Sequence, residues 1–196
     1  MRLAAALGLL VLAAGVRAEV PQLTQPIINA LTPIDTLPSS DQINSAFNDN
    51  PSEALASLIG LANPSSPIDR GVQLRAVRAL IHYCAATPCP EQDPALAALR
   101  QVEARYRNAR AGSDVLVLRA ALEAIGVLRY PTDIGLLLPH LQHPSRDIRA
   151  TAARALRDLG NTQAIGPLRA RYADEEFDQV RLAISDALRV LGQPVP

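Results

Sequence analysis

Apolar residues return every three or four positions through most of the chain after residue 50, which is the spacing of one helix face. Residues 51–62 open on a proline and carry Leu55, Leu58, Ile59 and Ala62 on one side. Residues 69–84 carry Val72, Val77, Leu80 and Ile81, and 94–109 carry Leu96, Leu99, Val102 and Tyr106. Residues 114–128 follow Gly112-Ser113, which reads as a stop and then a cap. The short segment 132–141 directs Ile134, Leu137, Leu138 and Leu141 one way. Segments 145–159, 162–173 and 177–191 follow, the first and last ending at Gly160 and Gly192. No stretch alternates with the period of a strand. Connections of roughly 2–8 residues make successive helices antiparallel neighbours. The pattern predicts an all-α fold, an α-solenoid of stacked antiparallel helical hairpins.

The first 67 residues read differently. A positive start at Met1-Arg2 is followed by an uncharged run over 3–16 and then by Val16-Arg17-Ala18, the layout of a secretory signal peptide cleaved after Ala18. The run is too short for the roughly 20 residues that span a bilayer. Residues 19–40 hold Pro21, Pro26, Pro33 and Pro38, which predicts an extended linker with at most a short turn near residues 27–31. Residues 41–67 then form N-terminal capping helices, with an N-cap offered by Ser39-Ser40-Asp41, and 68–196 form the repeat domain. The expected location is periplasmic or secreted, with no integral membrane segment after cleavage.

Composition narrows the function. The chain has 33 Ala and 29 Leu, 48% hydrophobic residues and only 3% aromatic ones, which suits helices and not a β-sandwich. All 19 basic residues are arginine, balanced by 19 acids, so the basic excess of a nucleic-acid binder is missing. In an exported chain Cys84 and Cys89, alone and with four residues between them, are expected to form a structural disulfide.

Stacking the helix starts exposes a repeat. The segment Asp147-Ile148-Arg149-Ala150-Thr151-Ala152-Ala153, running to Leu159-Gly160, aligns without a gap on Gln179-Val180-Arg181-Leu182-Ala183-Ile184-Ser185, running to Leu191-Gly192. Val117-Leu118-Arg119-Ala120 is a weaker copy, and Gln73-Leu74-Arg75-Ala76 a weaker one still. The arginine recurs at 119, 149 and 181, steps of 30 and 32, whereas Arg75 to Arg119 is a step of 44. The second helices align too, Thr132-Asp133-Ile134-Gly135 over Gln163-Ala164-Ile165-Gly166. These residues resemble HEAT repeats, in particular the short form named after phycobilisome lyases. The resemblance is strong over about 112–192 and implies a non-enzymatic scaffold for protein–protein interaction.

Enzymes of similar build do not carry over. The His-Glu pairs of deoxyhypusine hydroxylases are missing, export does not suit a phycobilin lyase, and the charge and aromatic content do not suit a DNA glycosylase. No cofactor is expected. The partner is expected to be another protein, in the cell envelope. His140 and His143, with Asp147 four residues on, offer an alternative small-ligand or metal site at a helix end. On a helical wheel Gln101, Arg105, His140 and Arg171 point away from the apolar faces of the second helices, and they are the expected partner-binding ridge. Arg119, Arg149 and Arg181 are expected to form a ladder between helices beside Asp147 and Asp178. Glu103–Arg107 reads as a surface pair, and Asp174-Glu175-Glu176 as acids favouring a helix N-terminus. The last helix is expected to cap a monomer, with dimerisation through that end as the second reading.

Overall fold

The computed structural model describes residues 24–31 and 38–194, so the expected signal peptide and parts of the expected linker lie outside the described residues. Every described element is helical. The first three helices are α1 (Gln25–Ala30), α2 (Ser40–Ser45) and α3 (Pro51–Ala62). Thus a short helix occupies part of the segment expected to be extended, starting where Pro26 can sit in its first turn and burying Ile27. Next come α4 (Arg70–Ala79), drawn out by a 3-10 turn over Leu80–Tyr83, then α5 (Pro94–Tyr106) and α6 (Gly112–Leu128). The element α7 (Ile134–Leu137) is a single turn between 3-10 segments Pro131–Asp133 and Leu138–Gln142. The chain continues through α8 (Arg146–Leu159), α9 (Ile165–Asp174) and α10 (Asp178–Val190). No described helix is long and apolar enough to cross a membrane.

The first helices of the hairpins stack in the order α4, α6, α8, α10, with the closest packing of α8 against α6 and α10. Alanine makes that approach possible: Ala120, Ala121, Ala150, Ala152, Ala153, Ala155 and Ala187 are fully buried. At Gly126 the approach is closer than alanine allows, because a Cβ there would lie 2.6 Å from the Ala155 carbonyl oxygen and 2.7 Å from its Cα. Gly160 ends α8 in the left-handed conformation at φ 75°, where a side chain is strained. The second helices α5, α7 and α9 form the other layer, and one continuous core runs from Ile27 to Leu188.

Two local expectations change. The buried face of α3 is Ala54, Ser57, Leu58, Leu61 and Ala62, so Leu55 and Ile59 are only half-buried. The start of α6 is Gly112 itself, with Ala111 as N-cap and no side-chain cap, so Ser113 does not cap it.

Candidate functional site

The second-helix layer presents the predicted ridge, and its geometry is best read one helix at a time. The exposed positions here include Gln101 and Arg105 on α5 and Asn108 in the turn that follows it. Arg105 is exposed, yet its guanidinium donates to the Pro64 carbonyl at 2.8 Å and stacks on Tyr106, so part of it holds the loop after α3.

His140 corrects the ridge. It was expected outside and is 5% exposed, with Nε2 2.8 Å from Glu103 Oε1. The wheel assumed an α-helix through residue 141, but Pro139 lies in a 3-10 segment, where three residues per turn rotate the following side chains. Arg171, at the matching place in the next repeat, is also drawn inward. Its guanidinium donates to Gln142 Oε1 at 3.0 Å and pairs with Glu175. Both side chains therefore reach back to the preceding second helix and tie one repeat to the next.

Glu103 is the hub beneath them. It is not a surface acid: its side chain is 3% exposed, bonded to Arg107 at 2.8 Å as well as to His140. Burial alone would push its carboxyl up, but the bonds from His140 and Arg107 outweigh that and leave it below the ordinary value. His143 is also buried, and its Nδ1 accepts the Ser145 N–H at 3.1 Å, which puts the ring proton on Nε2. Burial, helped by the nearby His140, pushes His143 below its usual range and keeps it neutral. Its Nε2 has no hydrogen-bond partner.

A shallow cavity of about 390 Å³ opens here between α5 and the α7 stretch. Its walls are Arg107 and Asn108 on one side and Leu136 and Pro139 on the other, with Glu103, His140 and His143 beneath. No serine, threonine or cysteine is among the residues that line it, and its ionisable groups are Glu103, Arg107, His140 and His143.

The metal alternative is not assembled. The ligand atoms of His140, His143 and Asp147 do not converge, and His140 Nε2 and His143 Nδ1 are already engaged by Glu103 and the Ser145 N–H. Among the described residues the group close enough to share an ion is Cys84, Cys89 and Asp93. Those sulfurs are 1.99 Å apart, at disulfide distance, with Cα atoms 5.8 Å apart. Cys89 is buried, and its N–H donates to the Leu128 carbonyl at the end of α6, so this loop docks on the first-helix layer.

The arginine ladder is present in part, with other partners than expected. Arg119 donates to Thr151 on the next first helix. Arg149 forms a two-point bond to Glu175, Nε to Oε2 at 2.7 Å and Nη2 to Oε1 at 2.9 Å, and also donates to the His143 and Pro144 carbonyls. The acid is therefore Glu175 and not Asp147. Its oxygen Oε1 also accepts from the Phe177 N–H, and the Arg149 bond first, then that N–H and Arg171, hold the carboxyl down to about 2. Arg181 instead stacks on Tyr172, 4.7 Å from the ring centre. Arg100 bonds the buried Asp133 at 2.8 Å. Sequence reasoning missed Glu103, Asp133 and Glu175 because a buried acid and an exposed one look alike until the partner's distance in space is known.

No curated protein matches the chain. A family model for HEAT repeats matches residues 107–189. That span holds the hairpins in which α6, α8 and α10 stack through small residues while the second helices link through His140 and Arg171, and residues 107–189 belong to the HEAT-repeat family.

Proposed function

We propose that this chain is an exported, non-enzymatic HEAT-repeat scaffold that binds another protein in the cell envelope through its second-helix layer. The observation that carries the reading is the cavity between α5 and the α7 stretch, which lies beside the exposed residues Gln101, Arg105 and Asn108. Stacked repeats commonly use such extended surfaces for partners. The signal-like N-terminus supports export to the periplasm or beyond. The partner-facing residues are Gln101 and Arg105 on α5 and Asn108 in the turn after it, with Pro139 and the outer edge of Arg171 continuing the surface. His140 serves from beneath, by fixing Glu103.

The test is capture from the envelope fraction on immobilised chain. Replacing Gln101, Arg105 and Asn108 together by alanine should leave helicity intact and abolish capture of whatever the unaltered chain retains. Undiminished capture removes this surface. Export is checked separately by the mass of the chain from the periplasmic fraction, which should begin at Glu19.

A further inference from the structure

The repeat alignment sets α8 and α10 one step apart, so Arg149, Ala150, Ala153 and Arg157 correspond to Arg181, Leu182, Ser185 and Arg189. In α8 these positions face the next first helix. Ala150 and Ala153 are fully buried, Arg149 is 7% exposed, and Arg157 bonds Asp186 of α10. In α10 the same positions are uncovered: Leu182 is 70% exposed, Arg181 and Arg189 are exposed, and Ser185 is half-buried. Within these residues α10 therefore shows the stacking face of the solenoid without a neighbour.

The sequence of that face says which neighbour fits. Asp178, Leu182, Ser185 and Arg189 lie at steps of 4, 3 and 4, a single seam that is symmetric about the point between Ala183 and Ile184. Two such seams set antiparallel place Asp178 opposite Arg189 of the partner subunit, and Leu182 over Ser185 of the partner subunit, each twice. A parallel setting would oppose Asp178 to its own copy and Arg189 to its own copy. Asp178 makes no ion pair among the described residues. Arg189 is bonded to Asp186, which also holds Arg157, so Arg189 can turn to a new acid while Asp186 keeps a cation. Small Ser185 leaves room for the facing leucine. Head-to-tail stacking lacks an acceptor, because α3 packs against α4 at the other end. A twofold, self-complementary contact is the closed solution that remains.

We propose that the exposed face of α10 docks a second copy of this chain, antiparallel, in the register Asp178 to Arg189. The surface shares no residue with that around Gln101, Arg105 and Asn108, so the two readings stand or fall separately.

Sedimentation of the full chain over a wide concentration range tests it. The unaltered chain should show a monomer–dimer equilibrium that weakens as salt is raised, since the pairs are exposed. Asp178→Arg alone, or Arg189→Asp alone, should weaken the dimer at least about tenfold, because each opposes like charges. The double variant should restore it. Leu182→Glu should abolish it, with helicity by circular dichroism unchanged in every case. A chain that is monomeric at all concentrations overturns the proposal. So does a dimer that survives the single reversals, or one that the double variant fails to recover.

Discussion

The helices before residue 107 and those after it are held by different means. Each of α2, α3, α4 and α5 begins on a side-chain cap: Ser39, Asn50, Asp69 and Asp93 accept backbone N–H groups, and Ser39 completes a capping box with Gln42. None of α6, α8 and α10 has a cap from the residue that precedes it. Those three are held by helix-to-helix approach, through alanine, Gly126 and the buried Arg149–Glu175 pair. Polar bonds also knit the earlier region. Gln73 donates to the Ala62 carbonyl and Tyr106, Asn63 donates to the Ala98 carbonyl, and Tyr83 bonds Asn44. Where repeats are regular, packing suffices. Where the 44-residue step breaks the regularity, each helix needs its own fastening.

The comparison can be broken most severely at Glu175. Glu175→Ala leaves the Arg149 guanidinium buried without its acid, and removing one partner of a buried pair costs about 3–5 kcal/mol. Denaturant unfolding of the variant measures it. The same carboxyl sets an acid response. Its folded pKa, about 2, lies below the ordinary 4.5, so its contribution is complete above pH 4.5 and disappears as pH falls toward 2. Stability measured against pH should fall through that window in the unaltered chain and more shallowly in Glu175→Gln.

Gly126→Ala comes next. The obstructing atoms belong to the Ala155 backbone, which cannot swing aside, so the α6–α8 contact must open at a cost of about 1–3 kcal/mol. Gly135, whose added Cβ would meet nothing, is the control: Gly135→Ala should leave the midpoint unlowered.

The regular repeats were readable because their rules are local. Leu118, Ile148 and Val180 recur one residue before the repeated arginine, Gly160 stops a helix, and the same pattern fits successive segments. The candidate site was readable only in outline. Gln101 and Arg105 are exposed, but the direction of His140 depends on a change of helical pitch at Pro139 that a uniform wheel cannot carry. Glu175 sits in a run of three acids, and its neighbours Asp174 and Glu176 are exposed. Nothing in that run marks the middle one as Arg149's partner, because the pair is 26 residues apart and the loop alone brings it home.

On the earlier region the effects are smaller and should stay local. Cys84→Ser removes a short loop closure worth about 1–3 kcal/mol. Hydrogen exchange should quicken around residues 84–93 while α8 stays protected. In the exported chain no alkylatable thiol should be found before reduction. Asp69→Ala removes the cap of α4 and should cost about 1 kcal/mol by thermal or chemical unfolding. Loss of α8 protection in either variant would show that the two regions unfold as one unit and that the division drawn above is false.

The position of the tight stack has a consequence for how the chain is made. Synthesis runs from the N-terminus, so α1 to α5 emerge before any of α6, α8 and α10 exists. The loop that carries Cys89 waits for the Leu128 carbonyl, Glu103 waits for His140, and Arg149 waits for Glu175. Each early segment thus depends on a later one, and the last of these ties closes only once residue 175 has been made. A nascent chain of this design keeps its early helices only partly fastened until residue 175 has emerged.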